Sequence, residues 1–166
     1  MARGKPGIQE LNVDDTDMRV LFDALKTVDV ELRKSTNAQL RIAAKECAEE
    51  LARRLKIAAY AAPAPQTRLV AESIKTKTDR TPVVSVGGTK KVGRPYKSRK
   101  TKQKRAAVAG ALLWSVEYGD YKGRFAARNE NGWWIKPTTK LFGESATATD
   151  NYKRAVLRIL QEANVI

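Results

Sequence analysis

The chain has 166 residues, 42% of them hydrophobic, enough for one modest core but with no apolar run approaching the roughly 20 residues of a membrane span. Its 32 Lys+Arg outnumber 18 Asp+Glu, for a formal charge of +14, and histidine is absent. The missing imidazole excludes the commonest general base, the commonest transition-metal ligand and every Ser-His or Cys-His nucleophile.

A lone Cys47 allows no internal disulfide, and the start MARGKPGIQEL lacks the apolar stretch of a signal peptide, so a cytoplasmic setting is expected. Residues 1–16 are expected to form an extension, and residues 17–166 a single domain. Asp14-Asp15-Thr16-Asp17 is an acidic cap before Met18, Leu21, Leu25, Val28 and Leu32, which recur at helical steps. Ser35-Thr36-Asn37 reads as a second cap before a new stripe of Leu40, Ala43, Ala44, Cys47, Leu51, Leu55 and Ala58. Cys47 on that stripe reads as a small buried hydrophobe. Glu49 with Arg53 and Glu50 with Arg54 have the favourable i,i+4 orientation. A helix from Ala38 to Tyr60 would be roughly 34 Å long. Either both segments form one kinked rod, or the second helix reaches past its own core to a neighbour.

Ala62-Pro63-Ala64-Pro65 ends the helical region. Ser73 to Thr78 alternates like a strand, Asp79-Arg80-Thr81-Pro82 is a turn, and Val83-Val84-Ser85-Val86 completes a hairpin before Gly87-Gly88. Gly87-Gly88-Thr89-Lys90 lacks the spacing of a phosphate loop.

Thr89 to Arg105, TKKVGRPYKSRKTKQKR, follows with nine basic residues and no acid. The nine are Lys90, Lys91, Arg94, Lys97, Arg99, Lys100, Lys102, Lys104 and Arg105. Charge of one sign repels itself and needs water, counterions or a polyanion. Gly93-Arg94-Pro95 opposes a regular helix or central strand. The segment reads as an extended, solvated arm touching DNA or a partner, or as a linker that keeps the chain soluble. Its Gly-Arg-Pro core also resembles the AT-hook of minor-groove binders.

Ala106 to Val116, AAVAGALLWSV, fits a helix or a buried strand, and its alanines favour helix. Asn131-Gly132 signals a turn, with Trp133 and Trp134 expected to alternate across a following strand. A last helix through Tyr152, Val156, Ile159 and Leu160 should begin at Thr149 or Asp150. Seven of the eleven aromatics fall between Trp114 and Phe142. They suit a stacking platform for single-stranded bases, or a small core and a subunit interface. The second reading is preferred, because in sequence they are not interleaved with the basic residues. No catalytic constellation, cofactor site or metal site emerges, and an enzyme is not expected.

The succession Ser73-Ile74, Val84-Ser85-Val86-Gly87, Val116-Glu117-Tyr118-Gly119, Trp134-Ile135-Lys136-Pro137 and a closing helix Tyr152 to Leu160 resembles the head–tail connector (neck or tail-completion) proteins of long-tailed bacteriophages. The likeness runs over about Leu40 to Ile166. It implies an α+β fold: a long N-terminal helix on a small antiparallel sheet, with further helices and a C-terminal one. It also implies a structural virion protein without enzymatic activity, assembled in the host cytoplasm. Copies would form a ring in the neck, six preferred over twelve, around packaged double-stranded DNA. Other neck and tail proteins would lie above and below. The basic arm is longer and more charged than that pattern requires, so its role is not implied. Glu117, Tyr118, Trp133, Trp134 and Pro137 become candidates for the subunit interface. For Glu117-Tyr118-Gly119 the choice is between a plain element terminus with Gly119 at positive φ and an ion pair from Glu117 to the next copy. A stand-alone DNA-binding protein, gripping duplex through the arm, is the alternative function.

Overall fold

Between Gly7 and Pro63 the chain has neither glycine nor proline, and there its longest element forms. Helix α1 runs from Val30 to Ala61, about 48 Å at 1.5 Å per residue. The computed structural model describes residues 8–12, 22–23, 25–27, 29–97, 104–122, 124–144 and 146–164. The acidic cap at 14–17 lies outside them. Asp29 caps α1 instead, its carboxylate accepting from Glu31 N at 3.3 Å. Ser35-Thr36-Asn37 starts no helix. Thr36 donates its hydroxyl back to Leu32 O at 2.8 Å, so the cluster is absorbed as the sixth to eighth residues of one uninterrupted rod.

The buried stripe of α1 runs Thr36, Leu40, Ala44, Cys47, Ala48, Leu51, Ala52, Leu55, Ala59. Large and small residues alternate along it, and each fully buried leucine contributes about 1.5–3 kcal/mol. In its first turns Val30 and Leu32 are exposed. On the outer face Glu50 takes both arginines, Arg53 at 2.7 Å and Arg54 at 2.9 Å, while Glu49 pairs with Lys45. The hydrogen bond from Arg53, then that from Arg54, holds the Glu50 carboxyl down at about 2.

After α1 the chain forms helix α2 (Gln66–Ala71), strands β2 (Lys75–Lys77), β3 (Val83–Gly87), β4 (Lys91–Lys97) and β5 (Lys104–Val108), then helices α3 (Ala109–Tyr118), α4 (Ile135–Glu144) and α5 (Ala146–Glu162). The architecture is α+β. The expected hairpin is present, with Lys77 opposite Val83. A third strand was not anticipated: β1 (Ile8–Asn12), from the presumed extension, pairs antiparallel with β3 and makes the sheet order β1-β3-β2. The central position of β3 explains its near-continuous apolar run, Val83, Val84 and Val86 all being buried.

Ser73 joins two elements: its hydroxyl donates to Val70 O at 2.6 Å and accepts from Gly87 N at 2.8 Å. α1, α2 and α3 cover the sheet, and α5 lies along α1. Trp134, Ile135, Phe142, Tyr152, Val156 and Leu160 complete the core. Tyr152 also donates from its hydroxyl to Arg80 O at 2.6 Å, tying α5 to the β2–β3 turn.

Four further expectations are corrected. The arm is not an unpaired extended segment, because β4 and β5 form their own antiparallel ladder. The apolar run from Ala106 divides, strand to Val108 and helix from Ala109. Trp133 and Trp134 precede a helix, not a strand, and α5 starts at Ala146, earlier than Thr149.

Candidate nucleic-acid and assembly surfaces

The basic hairpin stands on a buried root. Val92 is 2% exposed, and a Cβ on Gly93 would come within 3.2 Å of Leu69 on α2. Ala109 N donates to Lys90 O and Gly110 N to Gly88 O, both at 2.9 Å, so the start of α3 is fastened to the turn that launches β4. The pairs Lys91–Val108, Val92–Ala107, Tyr96–Arg105 and Lys97–Lys104 carry the ladder outward. Between Val92 and Tyr96 the register slips: Gly93, Arg94 and Pro95 face Ala106 alone. Gly93 takes φ +71° there, a conformation that a side chain would resist. The proline that argued against a central strand is accommodated because both strands are edges and the bulge needs no N–H from it.

Lys91, Arg94, Lys97, Lys104 and Arg105 are all exposed along this ladder. Lys90 is exposed too, but its ammonium reaches back to Glu72 O and ties the root to the end of α2. Arg99, Lys100 and Lys102 lie outside the described residues. The ladder holds the backbone of a highly charged segment in one line while its cations remain in water, an arrangement that suits a phosphate backbone.

The second region links α3 to α4 and is organised by a buried carboxylate. Glu117, 0% exposed, accepts from Ile135 N at 2.6 Å and Lys136 N at 2.9 Å, the first two residues of α4. The third, Pro137, has no N–H, and Thr138 N already reaches Trp134 O at 3.2 Å. The start of α4 is therefore satisfied by a residue on another helix, and the helix dipole favours an acceptor there. Glu117 O also accepts from Trp133 N at 2.7 Å, and Tyr118 O from Asn129 N at 2.9 Å. Gly132 (φ +77°) passes so close that a Cβ would collide with the Glu117 carboxylate. Gly119 ends α3 with φ +72°, as the plain-terminus reading of Glu117-Tyr118-Gly119 expects.

The interface candidates separate accordingly. Glu117 is committed inside its own chain and is not placed to pair with a neighbouring copy. Trp134 is 1% exposed and donates its indole N–H to Leu55 O at 2.8 Å, so it belongs to the core. Pro137 is half-buried in the first turn of α4, where proline is tolerated. Tyr118, half-buried, and Trp133, 37% exposed, reach the surface. Trp133 donates its indole N–H to Ala127 O at 2.8 Å.

Folding interleaves aromatics with cations that lie apart in the sequence. Arg128 lies 4.7 Å above the Tyr121 ring and Lys136 5.0 Å from that of Tyr118. Elsewhere Ile42, Ile57, Tyr60, Leu141 and Leu157 are large exposed apolar side chains on the helices. Cys47 is buried against α5, and burial, then the charge of Glu50, pushes its thiol up to about 11, away from nucleophilic character. Among the described residues no group of three or more His, Cys, Asp or Glu comes together as a metal site, and no helix is long and apolar enough to cross a membrane. No family model, no curated protein and no solved structure matches this chain.

Proposed function

We propose that this chain is a structural assembly protein of a phage neck, whose copies form a ring joining the DNA-filled head to the tail. The ring, six-fold in preference to twelve-fold, surrounds packaged duplex and contacts other neck and tail proteins. The observation that carries the reading is the rooted basic hairpin. It presents Lys91, Arg94, Lys97, Lys104 and Arg105 on a paired backbone, as a channel lining or a bridge to an acidic neighbour requires. The exposed apolar residues on α1, α4 and α5 supply surface for association. The order of landmarks from Ser73 to Leu160 supplies the likeness to neck connectors.

A stand-alone duplex-binding protein would use the same hairpin, and one experiment separates the two. Light scattering after size exclusion, with and without neck partners, is expected to give a closed oligomer. A monomer or dimer that binds short duplexes tightly and never assembles would reject the ring. In either state, replacing the five described hairpin cations by Gln should lower the slope of log affinity against log salt by about 4.5 if each touches a phosphate. An unchanged slope would remove the hairpin from the DNA contact.

A further inference from the structure

Large aromatic rings left in water need a reason, and on this molecule several sit side by side under cations. Trp114 is 55% exposed and Tyr121 84%. The Trp114 and Tyr118 rings are nearly parallel, centroids 5.6 Å apart at 15°, and form a two-ring stack. Arg128 covers one face of Tyr121, and Lys136 approaches Tyr118. Trp114, Tyr118, Tyr121 and Arg128 line one shallow open cleft.

The shelf is stiff for a loop-bearing surface. Besides the bonds that fix Tyr118 and Trp133, Asp120 N donates to Ala126 O at 3.0 Å. Its acids are engaged: Asp120 with Arg124 at 3.0 Å, Glu130 with Arg128 at 3.7 Å. Exposed Lys122 adds a further cation.

We infer that this shelf binds single-stranded nucleic acid, unpaired bases stacking on Trp114 and Tyr121 while Arg128, Lys136 and Lys122 meet the phosphates. Stacking accepts any base, because every base has a π face, and guanidinium or ammonium groups near the rings supply the charge that the backbone needs. Intact duplex is a poor occupant, since its base faces already cover one another. A second copy docking like on like would bring Arg128 and Lys136 against themselves, and charge selects against it. The inference rests on the shelf alone and stands whether or not the chain forms a ring.

The test uses the full chain with labelled oligo(dT) of about 20 nucleotides and a duplex of matching length, at about 0.3 M salt to suppress purely ionic binding. Trp114→Ala with Tyr121→Ala should weaken oligo(dT) binding about tenfold or more and leave duplex binding unchanged. Trp114→Phe with Tyr121→Phe should keep most of the affinity, and circular dichroism should show both pairs folded. The wild-type chain should also show tryptophan quenching on adding oligo(dT). Equal losses on both nucleic acids, or no loss on oligo(dT), would overturn the inference. So would a variant whose only change is in self-association, which would make the shelf a protein contact.

Discussion

Glu117 touches three parts of the chain at once: its own helix end, the first N–H groups of α4, and the turn that passes through Gly132. Removing the side chain leaves Ile135 N and Lys136 N without their acceptor in a buried place. Glu117→Ala should cost about 3 kcal/mol in urea denaturation, and Glu117→Gln about half that, one oxygen remaining as acceptor. Gly132→Ala should be destabilising through both its positive φ and the collision of the new Cβ with the carboxylate. In the Glu117→Ala background the backbone strain and a 3.2 Å approach to Lys136 Cβ remain but the collision with the carboxylate is gone, so the two changes should be less than additive by about 1 kcal/mol. Strict additivity would mean that the turn relaxes freely and Glu117 does not set its path. Sequence supported the helix terminus at Gly119, but not the partner of Glu117. The donors it serves lie 18 and 19 residues away and carry no side-chain signal, being backbone N–H groups.

Among the elements, α1 was legible because fifty-odd residues without glycine or proline leave a helix little competition. Its start was not, because Ser35-Thr36-Asn37 caps a helix only when the preceding chain turns away, and here Val30 to Lys34 continue the rod. The β4–β5 ladder was hidden by chemistry. A strand solvated on both faces has no apolar alternation, and only Val92 at its root is buried among the described side chains of β4. Trp133-Trp134 was misplaced for a related reason. Asn131-Gly132 is a hairpin signal, yet here Asn131 N meets Asn129 Oδ1 at 3.0 Å and the turn delivers a helix. The cations over Tyr118 and Tyr121 come from Lys136 and Arg128, across a turn that sequence spacing does not close. Within the hairpin, root and shaft should separate energetically. Replacing residues 94–105 by Asn-Gly keeps the Val92–Ala107 pair and should shift thermal stability little, while Val92→Ala should cost about 1–2 kcal/mol. If the shortened chain fails to fold, the shaft and not the root supports the core.

For the molecule as a whole, a charge of +14 works against its own compaction. Any polyanion that prefers the folded chain should therefore raise its melting temperature. At a duplex concentration a hundredfold above the dissociation constant the rise should be about 5–10 °C, smaller in the five-Gln hairpin variant. Thermal scans at low and high salt check this, since added salt alone should stabilise the free chain and erase the effect of DNA. The hairpin's slipped register has a consequence of its own when many copies crowd together. A two-stranded ribbon has two open edges, and open edges invite further strands until chains fuse into fibrils. Here three residues bulge opposite one, proline withholds an N–H, and lysines and arginines flank both strands. A ribbon so broken offers no template to copy, and the fingers of neighbouring copies would stay separate and soluble.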